Sequence, residues 1–363
     1  MYKLPIDINA TFQSECWTFY KTCILNTYED GKKWLSTHME VFLDKNYNAH
    51  FGDGERLYPL HYYSDILDIS EVEINNIESN NIVLCLKELL NEGSYVVLDC
   101  DINEFFKNDF NNDIDIHEML LYGFNDNEKV FYSPILNNST GRMEEIHIKY
   151  DIIEKSFEKV KKHYQWCNNR FYRMYNFYYP LTVIKKKNWI VSDNEIIKRC
   201  MQKIDKELKG EKRIVSKING RGEQVSAYST FSGLTCLYGV IEAVNEIVDT
   251  QEVCKEMNFD LTKTLLKLYE FRCNMLSTIE TLMKIADGIT IEICQIKERY
   301  RELIAQLKKS YMLSFKWEKK KELSILKNIQ NILINNMYEE EKLYQEIFTV
   351  MVKWYNIKYV REG

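Results

Sequence analysis

Hydrophobic residues change their period near the middle of this 363-residue chain, and that change limits the folds open to it. Up to about residue 165 they fall in short runs separated by turn-forming residues; beyond about residue 190 they recur every three or four positions over long stretches. Residues 194–208, 226–248, 261–285, 289–309 and 319–354 therefore predict helices, with Leu261, Leu265, Leu268, Phe271 and Met275 marking one apolar stripe. Lys209-Gly210-Glu211-Lys212 and Asn219-Gly220-Arg221-Gly222 read as loops, and Glu318-Lys319-Lys320-Lys321-Glu322 as a solvated helix end. A single core rarely grows past roughly 250 to 300 residues, so two domains are expected. The change of period places an α+β domain over residues 1–165, a connector over 166–190 and a helical domain over 191–363.

Within the first half, Trp17, Tyr20 and Ile24 recur at helical spacing from Cys16 to about Tyr28, with Ser14 ahead of them as an N-cap. Residues 81–91 predict a second helix stopped at Gly93, and 94–100 a buried strand rich in β-formers. Two more strands, 117–122 and 128–133, flank Gly123-Phe124-Asn125-Asp126-Asn127, whose turn chemistry predicts an antiparallel hairpin. A turn centred on Asn125 sets Leu121 opposite Lys129 and His117 opposite Ser133; a slip of one residue brings Tyr132 or Pro134 there instead. After a second turn at 137–141, residues 144–149 predict a strand and 150–160 a helix.

Composition removes several function classes. The 48 basic and 54 acidic side chains are interspersed and sum to −6, so no face is prepared for a phosphate backbone and nucleic acid is not expected as a partner. No run approaches the roughly 20 apolar residues that cross a bilayer, and Met1-Tyr2-Lys3-Leu4-Pro5-Ile6-Asp7 lacks the basic flank and apolar core of an export signal; a cytoplasmic protein is expected. The ten cysteines stand singly, without CxxC or zinc-type Cys/His spacing, which predicts reduced thiols. A Walker A loop, GxGxxG, HExxH and an Asp-rich calcium loop are all missing from the sequence, so no directly bound cofactor or metal is expected.

Ten cysteines and six histidines allow many pairings, and position must select among them. Of the cysteines, Cys16 alone falls in the first turn of a predicted helix that follows an irregular segment. There the unpaired backbone N–H groups and the helix dipole favour a thiolate and can also hold an oxyanion. His117 opens a strand, where a fixed imidazole can present one nitrogen to a thiol while an acceptor steers the other. Cys16 and His117 are the candidate nucleophile and base.

The residues around this pair resemble the papain-like C39 cysteine peptidases, most closely the offshoot called butirosin biosynthesis protein H, N-terminal domain, and its relatives in nonribosomal peptide clusters. Gly93-Ser94-Tyr95-Val96-Val97-Leu98-Asp99-Cys100-Asp101 is similar to that group's Gly-x-x-Val-x-Val-x-x-Asp strand, and His117 to Tyr132 is similar to its histidine-headed hairpin. Tyr238-Gly239 and Leu268-Tyr269-Glu270-Phe271-Arg272 carry a weaker likeness into the second half. The resemblance implies a papain-like, C39-type fold with an antiparallel sheet and an N-terminal helix, followed by a helical domain. It implies Cys16 as nucleophile, His117 as base and Asp101 as the acidic residue closing the strand. It also implies an acyl donor held as a thioester on the phosphopantetheine arm of an acyl or peptidyl carrier protein, and a small-molecule amine as acceptor. Two departures stand out. Ser133-Pro134 replaces the Asp-Pro of the peptidases, leaving Asp101 or Ser133 to steer the imidazole, and Ala10 stands where they have an oxyanion glutamine, leaving Gln13 as the nearby amide.

Two activities share these residues, and a third reading needs only the fold. In a cysteine acyltransferase, Cys16 takes an acyl group from the carrier and an amine removes it, forming an amide in thiotemplated natural-product biosynthesis. In a peptidase or thioesterase, water replaces the amine. A non-catalytic docking module for carrier or synthetase domains would keep the fold alone. The long helical half favours the transferase, because covering a cleft excludes water and can seat an amine.

Overall fold

A computed structural model describes residues 1–52, 62–74, 77–106, 114–137, 141–166, 180–210, 212–218, 224–250, 259–286 and 290–360. It is a mixed α+β architecture with antiparallel sheets and a helical C-terminal region. Two compact units divide it: Met1–Gly31, Leu57–Trp189 and Ile218–Gln224 form unit 1, while Lys32–Arg56, Ile190–Lys217 and Val225–Gly363 form unit 2. The segment Lys32–Arg56, inside the stretch expected to form one α+β domain, thus belongs to unit 2, and residues 180–189 of the expected connector belong to unit 1. Asn219 to Gly222, read as a loop, lies outside the described residues. No described helix is long and apolar enough to cross a membrane.

Unit 1 contains strand β1 (Tyr2–Lys3) and helix α1 (Cys16–Leu25), in which every residue from Thr18 to Leu25 is buried. The cap is Glu15, in extended conformation, rather than Ser14. After α2 (Glu29–His38), which crosses the unit boundary, and the unit 2 strands β2 (Val41–Leu43) and β3 (Ala49–Phe51), unit 1 resumes with β4 (Leu67–Glu71), α3 (Ile82–Asn91), β5 (Tyr95–Asp101) and α4 (Asn103–Phe106). Gly93, at φ 80°, ends α3 in the left-handed region that glycine enters without a Cβ clash. The chain continues through β6 (Ile116–Leu121), β7 (Gly123–Asn125), β8 (Val130–Asn137), β9 (Arg142–Lys149), α5 (Tyr150–Trp166) and β10 (Leu181–Lys186). One sheet has the order β4-β10-β5-β6 and another β1-β7-β8-β9, with antiparallel pairing in both. Val96, Leu98 and Cys100 of β5 and Met119 and Leu121 of β6 pack with Leu86 of α3 and Phe157 of α5 in a single core. Each such aliphatic or aromatic side chain contributes roughly 1.5–3 kcal/mol by leaving water.

The hairpin is real, but its register differs from the expectation. Gly123 pairs with Tyr132, Phe124 with Phe131 and Asn125 with Val130, so the turn lies at Asp126-Asn127-Glu128-Lys129 and not at Asn125. Gly123-Phe124-Asn125 reads as turn chemistry, yet β1 lies so close that a Cβ on Gly123 would stand 2.5 Å from the Tyr2 carbonyl oxygen, and Phe124 packs against Tyr2. The glycine serves strand contact there. Asn125 begins the real turn by accepting the Asn127 N–H on its side-chain oxygen at 3.1 Å.

Unit 2 has a sheet of order β11-β12-β2-β3, with β11 (Lys212–Ile218) and β12 (Gln224–Ser232). Part of the helix expected over 226–248 is therefore strand, because Phe231 and Ser232 pair with Leu43 and Phe42. Gly233, at φ 64°, then leads into α7 (Thr235–Thr250). The other helices are α6 (Asp193–Lys209), α8 (Leu261–Ile285), α9 (Thr290–Lys320) and α10 (Leu323–Val360). Helix α6 is capped by the Ser192 hydroxyl on Glu195 N–H and closed by left-handed Gly210. Lys321, at φ 53°, separates α9 from α10, and the charge run beside it is exposed.

An ion pair lies at the centre of the helical part. Arg272 of α8 and Glu340 of α10 are both fully buried; the guanidinium Nε donates to Oε1 at 3.0 Å and to Oε2 at 3.3 Å, and Nη2 to Oε2 at 3.2 Å. The hydroxyls of Tyr300 and Tyr344 donate to the same Oε1 at 3.0 and 2.7 Å.

Candidate active site

Cys16 is the first residue of α1, partly exposed, and no side chain caps the first turn from Glu15. That is the position at which backbone N–H groups lack helical partners. The sulfur is nevertheless a protonated thiol. Burial pushes it up to about 12, the Glu118 carboxylate adds to the rise, a hydrogen bond with Tyr20 opposes it, and Glu15 raises it further. The helix terminus does not overcome desolvation and two carboxylates.

Strand geometry explains why Glu118 is the neighbour. Cys100 pairs with His117 and Asp99 with Glu118 across β5 and β6. Successive side chains of a strand leave on opposite faces, so His117 leaves with Met119 and Leu121, the core-lining residues of β6, and Glu118 leaves on the other side, where it acts on Cys16. The Tyr20 hydroxyl donates to the Glu118 carbonyl at 2.8 Å and so fixes α1 against this strand. The His117 ring is 42% exposed, with Nδ1 3.6 Å from Glu118 Oε2. Among the described residues the structure thus sets Glu118 and Tyr20 against the sulfur, and brings His117 to Glu118.

The other expected participants have different work. Asp101 is buried, and its Oδ1 accepts the Asn103 and Asp115 N–H groups at 3.2 and 3.1 Å, while Lys159 approaches Oδ2 at 3.4 Å. It pairs with Ile116 rather than His117, so it closes the loop after β5 instead of steering the imidazole. Ser133 is fully buried and donates to its neighbour's carbonyl, Pro134 O, at 3.3 Å. With the hairpin turn displaced, the register continued from Gly123 and Tyr132 puts Ser133 beside Tyr122 and not His117. Gln13 donates from Nε2 to the Ile8 and Ala10 carbonyls at 3.3 and 3.1 Å and accepts Met143 N–H on Oε1 at 3.0 Å. Its amide ties the N-terminal segment to β9, and both of its N–H groups already have acceptors, so it does not supply an oxyanion donor here.

Sequence reasoning missed Glu118, Tyr20 and Asp99. Asp99 is buried beneath a Tyr164 hydroxyl that donates to it; burial pushes its carboxyl up to about 7, the tyrosine opposes the rise and Glu118 adds to it. The signals were present: Tyr20 stands four residues after Cys16, Glu118 adjoins His117 with opposite strand parity, and Asp99 is a lone carboxylate in an apolar run. Compared with known proteins, the sequence matches no family model, and no curated protein matches it.

Proposed function

We propose that unit 1 is a papain-like module of the C39 kind and that the protein is a cysteine-dependent acyltransferase. In this reading Cys16 takes an acyl group from a carrier-protein phosphopantetheine thioester and passes it to a small-molecule amine, forming an amide in thiotemplated biosynthesis. The observation that carries it is the placing of Cys16 as the first residue of α1, after extended Glu15, beside the strand that holds His117. His117 is the proposed base: it leaves β6 on the face opposite to Cys16 with its half-exposed ring against Glu118, so in this reading the ring swings past Glu118 to the Cys16 face when donor binds, and the resulting imidazolium offsets the Glu118 charge that otherwise opposes ionisation. Mixing the protein with an acyl-loaded carrier should add one acyl mass to wild type and none to Cys16→Ala or His117→Ala. Equal labelling of wild type and Cys16→Ala would end the proposal, and free acid formed despite abundant amine would make the protein a thioesterase or peptidase.

The raised Cys16 thiol favours a second reading, in which unit 1 keeps the fold as a docking module without chemistry. Carrier binding by wild type and Cys16→Ala alike, with no adduct on either, would select it.

A further inference from the structure

We propose that the Tyr20 hydroxyl is a catalytic group of the Cys16 site, the donor that stabilises the sulfur when it ionises and the oxygen that develops on an acyl group joined to it. The chemistry of this assignment rests on the acyl-transfer reading; its geometry does not. Tyr20 follows Cys16 by four residues on α1, and long helical side chains lean back towards the N-terminus, which lays the phenol over Cys16. The ring is 2% exposed, its hydroxyl lies 2.8 Å from the Glu118 carbonyl oxygen, and it shares a hydrogen bond with the Cys16 side chain.

A phenol has a single proton to give. At rest it goes to the Glu118 carbonyl, so the Cys16 S–H donates to the phenol oxygen. Once the sulfur is ionised the order reverses: the O–H rotates about its C–O bond onto sulfur and no heavy atom moves. The Glu118 carbonyl is available for this role because of the strand register. Asp99 N–H bonds to Pro180 O at 2.9 Å, on the far side of β5, which makes Asp99 and Glu118 a non-hydrogen-bonded pair and turns the Glu118 carbonyl away from β5.

Tyr20 therefore occupies the role that the tied amide of Gln13 leaves empty. In acylation the Cys16 S–H bond breaks and its proton passes to His117. The new S–C bond forms as the carrier's C–S bond breaks, and the carrier sulfur leaves with the proton from His117. Tyr20 donates throughout without losing its own proton, so it meets the demand for a preorganised donor at the developing charge. A tyrosine present only to satisfy an edge-strand carbonyl would leave the acidity of the sulfur unchanged.

The test is Tyr20→Phe, which keeps the ring and removes the hydroxyl. Iodoacetamide modification of Cys16, followed by the mass of its peptide from about pH 7 to about pH 10, reads the thiolate fraction. Loss of the donor should raise the thiol further and slow alkylation about tenfold at each pH; an unchanged rate profile overturns the assignment. A second measurement needs no variant at Tyr20. The infrared S–H stretch in wild type minus Cys16→Ala should lie at the lowered frequency of a hydrogen-bonded thiol, and a free-thiol frequency overturns the assignment equally. Neither readout uses an acyl donor. A slowed Tyr20→Phe profile in a protein that never forms an acyl adduct removes the acyl-transfer reading alone, whereas an unchanged profile in an active transferase removes Tyr20 alone.

Discussion

Replacing Arg272 by Met should destabilise the helical unit by about 3–5 kcal/mol, the cost of leaving one buried charge without its partner. The structure shows why the upper part of that range applies. Both side chains are fully buried, and all three guanidinium bonds to Glu340 vanish together. Oε2 then loses both its donors, while Oε1 keeps the two tyrosine hydroxyls. The double replacement Arg272→Met with Glu340→Leu should behave differently, because neither charge is left behind. The Tyr300 and Tyr344 hydroxyls, 2.9 Å apart, can bond to each other, leaving one orphaned O–H worth about 1–3 kcal/mol. The double variant should accordingly be more stable than either single one. Urea unfolding followed by far-ultraviolet circular dichroism measures all four species, and in thermal scans the single variant should melt roughly 6–20 °C lower, at about 2–4 °C per kcal/mol. A single-variant loss under about 1 kcal/mol, or a double loss equal to the sum of the two single losses, would refute the argument that the cost comes from an unpaired charge.

Three other outcomes follow from the site. Glu118→Gln removes the second largest influence raising the Cys16 thiol, so alkylation of Cys16 near neutral pH should quicken about tenfold, opposite in sign to Tyr20→Phe; a slower rate would contradict the electrostatic account. Asp99 has its folded carboxyl raised to about 7, so its contribution to stability is full below the unfolded value of about 3.9 and is lost as pH rises through 7. Asp99→Asn should therefore gain stability relative to wild type between about pH 4 and pH 7 in urea titrations, and a difference independent of pH would show that the titration is not felt. Gln13→Ala should lower stability by about 1–3 kcal/mol through its lost backbone partners yet leave the Cys16 alkylation profile in place, and a shifted profile would return Gln13 to the site.

Much of the local structure was legible in the residues, and its pairing was not. The apolar run before Asp99 and the helical spacing of Leu261, Leu265 and Leu268 each name an element because the signal is local. Register and strand parity depend on contacts from elsewhere: Gly123-Phe124-Asn125 is turn chemistry until β1 lies on it, and the short strands β2 and β3 acquire their place from β12. The sequence could name Cys16 at a helix start, but which of His117 and Glu118 meets it is decided by the pairing of β6 with β5. The burial that raises the thiol is likewise a sum over distant neighbours, and no window around Cys16 contains it. Arg272 directly follows Phe271 of the apolar stripe, and nothing in the residues around it names Glu340 as its buried partner.

The pairing of Leu43 with Phe231 sets a timetable for synthesis. On the ribosome, at about 5–20 residues per second, the early segment emerges roughly ten to forty seconds before its partner strand exists. During that interval Val41, Phe42 and Leu43 form an apolar stretch with an unpaired edge, open to chaperones and to self-association. A fragment starting at residue 190 would carry the converse defect for good, with β12 lacking the neighbour that covers it.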